Sequence, residues 1–256
     1  MIKFRCSNLF KIMKDNDTRN RYLSEVYVTE NTGIQFNIES KYLTKGTEVE
    51  DNSIKLAKKY LFPEPKNLIE FRRLKSFEKN KNLYSNEWIK GTPDVFFENK
   101  IIDIKSSWSA ATFIHSVASM RKNRKCIEAY YWQLQGYMML TGAQESSLIY
   151  CLVNTPNHLI EGEKRKLKYS MGIWEGSEFE RFNLYNEACG LIEMQHNYDN
   201  FELTNRVFEF KVQRNDLDIE KIKEAVLYSR KYIKKWIENE KGIKNEHLEN
   251  WQIENF

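Results

Sequence analysis

The stretch GTPDVFFENKIIDIKSS, residues 91–107, decides the fold prediction for this chain. Its second half is an apolar run that is interrupted by Asp103 and followed by Lys105, which predicts a β-strand with one charged face. Residues two apart in a strand point to the same side of the sheet, so Asp103 and Lys105 share a face while the flanking isoleucines point into a core. The Pro-containing turn before the strand places Asp94 alongside. We therefore expect two carboxylates and an ammonium to converge in one small volume.

This group of charges suits a site that holds hard divalent cations through oxygen ligands and activates a water molecule. Taken alone, an Asp-x-Lys in a strand is usually a solvated ion pair, and Gly-Thr-Pro-Asp is an ordinary turn. The combination is much rarer. Pro93-Asp94 followed by Asp103-x-Lys105, with a hydrophobic run before the second acid, resembles the defining pattern of the PD-(D/E)xK nuclease superfamily.

A second segment, YYWQLQGYMMLTG at residues 130–142, has apolar residues at helical spacing and a glycine suited to the position just past a helix end. Gln133 and Tyr137 are four apart, so they lie on one face of the predicted helix. An aromatic core stripe with a surface Gln would explain the segment without any function. However, Gln-x-x-x-Tyr after the catalytic strand is similar to the signature of the RecB-like and phage-exonuclease branch of the superfamily. That resemblance implies that Gln133 and Tyr137 support the active site and contact DNA.

A third segment, KGTEVE at residues 45–50, resembles the Arg/Lys-Gly-x-x-x-Glu element at the start of the first core helix in that family. Gly46 and Glu50 fall on one helical stripe, which predicts that Glu50 lies on the packed side. A carboxylate withdrawn from water needs a partner, and a metal ion is one. Glu48 lies about 200° around the helix from Glu50. Glu50 is therefore the predicted ligand, and Glu48 is the fallback.

The motifs cover roughly residues 40–155 and are most similar to phage-type exonucleases such as lambda exonuclease and the YqaJ family. The resemblance implies an α/β (α+β) fold with a central mixed β-sheet flanked by helices, a restriction-endonuclease-like core. No linker or repeat divides residues 1–256, so we expect a single domain with a helical and strand extension over about 170–240. In that extension, Ser177 and Glu180 form a capping-box pattern that opens a helix with an aromatic stripe beginning at Phe179 and Phe182.

The resemblance also implies a role for each site residue. Lys105 is expected to position the attacking water and to stabilise its hydroxide form. A role as proton acceptor is less secure, because an ammonium with a reference pKa of about 10.4 is a poor base. Gln133 and Tyr137 orient Lys105 or the DNA backbone. One or two Mg²⁺ or Mn²⁺ ions are expected to be held by Glu50, Asp94, Asp103 and the carbonyl group of Ile104.

The composition adds a mild constraint. The 256 residues carry 40 Lys and Arg against 36 Asp and Glu, a formal net charge of +4, so nucleic-acid binding depends on local patches. Trp108, in the polar segment after the strand, either stacks on a frayed base or packs internally. The predicted phosphate-binding patch precedes the Gln-x-x-x-Tyr helix and consists of Arg121, Lys122, Arg124 and Lys125.

The four cysteines are scattered, with no Cys-x-x-Cys, which argues against a zinc site and against the grouped cysteines that hold an iron–sulfur cluster in some relatives. Scattered cysteines are typical of reduced thiols, so we expect a cytoplasmic protein, in the host cytoplasm if the gene is carried by a phage. No apolar run approaches the ~20 residues that span a membrane.

Together these features predict a metal-dependent DNA exonuclease that resects duplex ends for recombination. Expected partners are duplex DNA ends, a single-strand annealing protein and further copies of the chain, as a trimer in the lambda-exonuclease resemblance. Three alternatives stay open: an endonuclease of the same fold, a non-catalytic DNA-binding or assembly protein, and a small-molecule enzyme. The last would carry a nucleotide or cofactor fingerprint, and the sequence has no Gly-x-Gly-x-x-Gly and no Walker loop.

Overall fold

The computed structural model describes residues 2–14, 17–36, 40–171 and 177–254, with side chains described through residue 238. A 3-10 helix (Cys6–Asn8) follows the first strand. The strands are β1 (Phe4–Arg5), β2 (Tyr84–Ser85), β3 (Ile89–Gly91), β4 (Val95–Phe97), β5 (Lys100–Ser106), β6 (Glu145–Cys151) and β7 (Val207–Gln213). The α-helices are α1 (Leu9–Ile12), α2 (Asp17–Thr32), α3 (Lys41–Glu48), α4 (Glu50–Leu61), α5 (Leu68–Ser76), α6 (Ala110–Asn123), α7 (Glu128–Thr141), α8 (Asn157–Met171), α9 (Glu178–His196), α10 (Leu203–Arg206) and α11 (Asp216–Glu254).

The strands form two mixed sheets, which confirms the predicted α/β class with a mixed sheet flanked by helices. The larger sheet has the order β4-β5-β6-β7, with β5 and β6 parallel and the other pairs antiparallel. The smaller sheet, β1-β3-β2, was not predicted. Its strands β2 and β3 are separated by a turn, in which the Asn86 side chain accepts hydrogen bonds from the amides of Trp88 and Ile89.

Strand β5 lies between two apolar cores because its side chains alternate between the two faces of the sheet. Ile101 belongs to the core that α6 and α7 form on one face. Ile102 and Ile104 belong to the core on the α4 face. Burying each such side chain contributes about 1.5–3 kcal/mol to folding. The alternation therefore commits Asp103 and Lys105 to the α7 face, as predicted.

A two-residue turn at Glu98 and Asn99 connects β4 to β5. Both residues have left-handed backbone angles, with φ of 47° and 60°, as tight hairpins of this kind require. The turn sets the register in which Val95 lies opposite Ile102. Because Asp94 directly precedes β4, this register carries it to the side of β5 near Asp103.

Helix α7 confirms the predicted helix and its end. The residue after it, Gly142, has a φ of 79°, a conformation that glycine adopts without strain. In the middle of the helix, a Cβ added at Gly136 would lie 2.5 Å from Leu9 Cδ1, so the N-terminal segment packs directly on the helix backbone. This close packing holds α7 against the sheet and fixes where its polar side chains point.

The KGTEVE segment differs from the single helix that was expected. Helix α3 ends at Glu48, Val49 adopts a non-helical backbone conformation with ψ near 8°, and α4 begins at Glu50. Glu50 therefore lies in the first turn of α4.

The C-terminal part contains β7, the edge strand of the larger sheet, and the long helix α11. The capping box at Ser177 and Glu180 is present at the start of α9, as predicted. The aromatic stripe of that helix is not covered by the described residues, since Phe179 is 75% exposed and Phe182 is 62% exposed. Of the helices described, none has the length and apolarity needed to cross a membrane.

Candidate functional site

A cleft of about 440 Å³ opens where β5 ends, between α3, α4, α6 and α7. The charged side chains that line it are those of Glu50, Asp94 and Lys105. Trp108 and the Ile104 backbone lie in the same wall. The structure thus places five of the twelve predicted site residues around one concave surface.

Asp94 is held by the backbone of β5. Its Oδ2 accepts a hydrogen bond from the Ile104 amide at 2.6 Å. Pairing between β4 and β5 stops at Ile102, so the Asp94 carboxylate takes the place of a strand partner for this amide. Burial, and next the charge of Asp103, raise the pKa of Asp94 to about 7, against the opposing effects of Lys105 and the Ile104 amide.

Asp103 is 0% exposed and lies at the centre of the cluster. Its Oδ1 accepts a hydrogen bond from Gln133 Nε2 at 3.1 Å. Its Oδ2 lies 2.7 Å from Lys105 Nζ in an ion pair. Apart from this ammonium, Oδ2 has no partner among the described residues. A carboxylate oxygen has two lone pairs, so this buried oxygen can also accept a metal cation.

Lys105 remains charged at neutral pH. Burial lowers the pKa of its ammonium, but the charges of Asp103 and Asp94 outweigh this effect, so the pKa lies above its usual range. The ammonium also lies 5.2 Å from the centre of the Tyr130 ring. Lys105 is therefore a fixed positive charge in the cleft rather than a proton acceptor.

Gln133 and Tyr137 form a chain of hydrogen bonds behind the carboxylates. Gln133 Nε2 donates to Tyr137 Oη at 2.9 Å as well as to Asp103, and Tyr137 Oη donates to the Thr92 carbonyl at 3.1 Å. These hydrogen bonds connect α7 to β5, which carries Asp103, and to the segment before β4, which carries Asp94. Gln133 was expected to orient Lys105 or DNA, whereas in the structure it contacts Asp103, so any effect on Lys105 passes through that carboxylate.

Glu50 lines the cleft but is held in an ion pair, with its Oε2 2.9 Å from Lys79 Nζ. The fallback residue Glu48 lies outside the cleft lining, with its Oε1 3.2 Å from His158 Nε2. The structure therefore favours Glu50 over Glu48 as the third carboxylate near the site.

The carboxylates at the cleft decide whether it can hold a divalent cation. Within the residues described, no three His, Cys, Asp or Glu side chains lie close enough together to hold a metal ion. Asp94 and Asp103 do lie together, and Mg²⁺ is usually held by one or two carboxylates with water completing its shell. The two carboxylates fit Mg²⁺ or Mn²⁺, because Asp103 Oδ2 has no partner among the described residues besides the Lys105 ammonium. Glu50 would join them only by leaving Lys79.

The predicted DNA-binding residues are not all brought to the cleft. Trp108 lines it, but its ring packs edge-on against Tyr42 at 5.6 Å and His196 at 4.9 Å between centroids. The basic patch lies at and beyond the C-terminal end of α6. Its first member, Arg121, is about 7.5 Å along the helix axis from Ser116 and about 14 Å from Thr112, the two α6 residues that line the cleft. The members of that patch, none of which lines the cleft, are Arg121, Lys122, Arg124 and Lys125.

Sequence reasoning missed three residues around the site. Tyr130 lies one turn before Gln133 on α7, and that spacing was an available signal. Nothing in the sequence around Lys79 indicates that its side chain pairs with Glu50. Lys45 is 0% exposed, donates to the Trp108 carbonyl at 2.9 Å, and has its pKa lowered by burial to about 7. A lysine in a polar segment gives no indication of such burial.

The fold is shared with solved exonuclease structures. A phage related exonuclease from Haemophilus somnus 129PT aligns with 93% of this chain and 96% of that chain, at 23% identity and a TM-score of 0.66. An alkaline exonuclease from Laribacter hongkongensis aligns with 95% of this chain and 94% of that chain, at 17% identity and a TM-score of 0.58, as does the same protein in complex with dAMP. No protein-family model matches the chain, and no curated protein matches it significantly. At these identities the likeness establishes the fold.

Proposed function

We propose that the protein is a metal-dependent deoxyribonuclease of the PD-(D/E)xK type, acting as an exonuclease on duplex DNA ends. The observation that carries the proposal is the convergence of Asp94, Asp103 and Lys105 at one cleft, where the Lys105 ammonium is the only partner of Asp103 Oδ2 among the described residues. Two adjacent carboxylates beside a fixed ammonium suit the chemistry of phosphodiester hydrolysis.

In this proposal Asp94, Asp103 and the carbonyl group of Ile104 hold one or two Mg²⁺ or Mn²⁺ ions, with Glu50 as a further ligand once released from Lys79. The bound metal supplies charge stabilisation at the scissile phosphate and makes a water molecule a better nucleophile. A cation beside Asp94 also favours the ionised form of its carboxyl group, since an opposite charge lowers the pKa of an acid.

The other residues of the chain act on position and charge. Lys105 holds an ammonium beside the carboxylates, where it orients the attacking water and stabilises the hydroxide form. Gln133 holds Asp103 in place through Oδ1 and is itself held by Tyr137. Such support of a metal-binding carboxylate typically changes metal affinity or activity by about 10–100-fold.

The choice of DNA ends as the substrate is supported by the neighbours in fold, which are described as exonucleases, one of them in complex with a mononucleotide, dAMP. We extend the proposal to resection for recombination, with a single-strand annealing protein and further copies of the chain as partners. The alternative function is that of an endonuclease of the same fold, which would use the same cleft and differ in how DNA enters it.

The test is a time course on linear duplex DNA and on the same DNA as a closed circle, with Mg²⁺, with Mn²⁺ and with EDTA, and with different labels on the two ends. The proposal expects metal-dependent loss of the linear form while the circle is spared, and the order of label release gives the polarity. Cleavage of the circular DNA would contradict the exonuclease proposal and favour an endonuclease. DNA binding without cleavage of either form would favour the non-catalytic protein.

A further inference from the structure

A second groove, of about 630 Å³, adjoins the candidate active-site cleft, and the two share Leu43 in their walls. One wall is the small sheet with α1, and the other is α2. We name it the N-terminal groove. We propose that the N-terminal groove binds the sugar–phosphate backbone of the DNA strand that enters the candidate active site. The inference rests on the proposed function and names a binding surface for its substrate.

The sheet wall of the groove is basic because of strand alternation. Phe4 and Ile89 lie opposite each other in the parallel β1–β3 pair and are both buried in the core. The next pair, Arg5 and Lys90, must therefore point to the opposite face, which is the groove. Lys3 lies two residues before Arg5 and faces the same way.

These cations are available to a ligand. Lys3 Nζ donates to the Ser85 hydroxyl at 3.0 Å, and Lys11 Nζ lies 4.8 Å from the centre of the Tyr22 ring. Within the described parts of the chain, no carboxylate forms an ion pair with Lys3, Arg5, Lys11 or Lys90. Most other basic side chains near the cleft are neutralised, as Lys79 is by Glu50.

The opposite wall carries two carboxylates on α2, Glu25 and Glu30, and Glu25 lies 3.7 Å from Arg21. The groove is thus basic along the sheet and acidic only along the helix. Four cations line the groove, Lys3, Arg5 and Lys90 on the sheet wall and Lys11 on α1, beside apolar and aromatic side chains. They suit the phosphates of one sugar–phosphate strand, which presents a charge about every 3.4 Å. Tyr22 and Phe36 in the lining offer rings to bases that leave the stack.

The groove and the candidate active site are linked by covalent geometry. Strand β3 ends at Gly91, and Asp94 follows three residues later, so the Cα atoms of Lys90 and Asp94 lie within about 14 Å of each other. That span corresponds to about four nucleotides at 3.4 Å per nucleotide. A strand with its scissile phosphate at Asp94 is therefore close enough to contact Lys90, and Arg5 lies beside Lys90 on the neighbouring strand.

The experiment measures binding of a labelled duplex with a single-stranded overhang in EDTA, across a range of salt concentrations, so that no cleavage occurs. The test variant is Lys3→Gln/Arg5→Gln/Lys90→Gln. The matched control, Arg72→Gln/Lys75→Gln/Lys81→Gln, removes the same charges from exposed positions outside the groove. The test variant should lower the slope of log affinity against log salt by about one unit for each cation removed, and the control should keep the wild-type slope.

An unchanged slope in a folded test variant would overturn the proposal. Since Lys90 lies in a core strand, Lys3→Gln/Lys11→Gln is a second test variant that leaves β3 intact, and it should lower the slope by about two units. Poly(L-glutamate) is the competitor for the other class of partner. If the groove cations bind it while the DNA slope is unchanged, the groove takes an acidic protein segment instead.

These outcomes are separate from those of the cleavage assay. If the wild-type protein cleaves DNA but the groove variants have the wild-type salt slope, the proposed function stands and the proposed binding role of the N-terminal groove is overturned. If the wild-type protein does not cleave DNA but its DNA binding depends on Lys3, Arg5 and Lys90, the binding role of the groove stands and the proposed function is overturned.

Discussion

Lys105 and Lys45 are both withdrawn from water, yet their surroundings move their pKa values in opposite directions. Lys105 is 23% exposed in its side chain, lies 2.7 Å from Asp103 Oδ2, and has a pKa above its usual range. Lys45 is fully buried, donates to the Trp108 carbonyl, and has its pKa lowered by burial to about 7. The difference is the carboxylates: two act on Lys105, and no carboxylate in the described structure pairs with Lys45.

This contrast shows that burial alone does not make a functional lysine. An ammonium with carboxylates around it stays charged, and its charge lowers the pKa of Asp94 against the larger effect of burial. A buried lysine beside a carbonyl group and aromatic rings has no carboxylate to offset burial, so its pKa falls.

The largest effect is expected from Asp103→Asn. The substitution removes the charge that pairs with Lys105 and a proposed metal ligand, so cleavage of linear DNA should fall by about a thousandfold or more. Initial rates at saturating Mg²⁺ measure this, with Asp199→Asn as an exposed control. Activity within tenfold of wild type in Asp103→Asn would remove Asp103 from the site.

The next effect concerns Lys45→Met and stability. Between about pH 7 and pH 10 the unfolded chain binds a proton at Lys45 that the folded chain does not, because the pKa falls from 10.5 to about 7 on folding. The wild-type free energy of unfolding should therefore rise over this window relative to Lys45→Met, on the order of a few kcal/mol.

Urea unfolding of both proteins at pH 7 and at pH 10 measures that difference. The exposed substitution Lys75→Met is the control and should show no such change. Parallel pH profiles for wild type and Lys45→Met would mean that Lys45 keeps its proton in the folded protein, contrary to the contrast with Lys105.

A smaller effect is expected from Gln133→Ala, which removes the hydrogen bond to Asp103 Oδ1. The kcat for DNA should fall by about 10–100-fold while KM changes little, because Gln133 supports a carboxylate and does not line the cleft. Gln144→Ala, at an exposed position after α7, should retain both constants. A change confined to KM would instead place Gln133 in contact with DNA, the other role that the resemblance implies.

The smallest effect is expected from Lys79→Met, which frees Glu50 from its ion pair. An exposed ion pair is worth about 0.2–1 kcal/mol, so the Mg²⁺ concentration for half-maximal activity should fall by up to about fivefold. The measurement is a Mg²⁺ titration of cleavage rate, with Lys81→Met as the control. If the half-maximal concentration is the same in both variants, Glu50 is not a metal ligand.

Much of the site was predictable because it depends on short-range periodicity. The two-residue repeat of β5 predicted that Asp103 and Lys105 share a face, and the four-residue spacing on α7 predicted that Gln133 and Tyr137 lie together. The capping box at Ser177 was likewise visible. Each of these features is decided within a few residues of chain, where backbone geometry leaves little choice.

Sequence patterns decide least where distant segments determine the outcome. A continuous helix through Glu50 was wrong, because the helix is interrupted at Val49. The patch around Arg124 was chosen because it precedes α7 in sequence; it does not line the cleft, and its binding of DNA stays a prediction. The stripe at Phe179 lies on α9, and whether it is buried depends on another segment that covers it.

The residue pattern by itself determined the strand that carries Asp103 and Lys105, the helix that carries Gln133 and where that helix ends. These follow from the alternation of side chains in a strand, the turn of a helix and the conformational freedom of Gly142. The fold class was implied by the resemblance of the sequence motifs to a known family. Only the tertiary structure decided that Gln133 contacts Asp103, that Lys79 pairs with Glu50, that Lys45 is buried and that Arg5 and Lys90 line one groove. Those contacts join segments that are distant in sequence, Arg5 and Lys90 being farthest apart, and their partners are selected by packing of the whole chain rather than by local pattern.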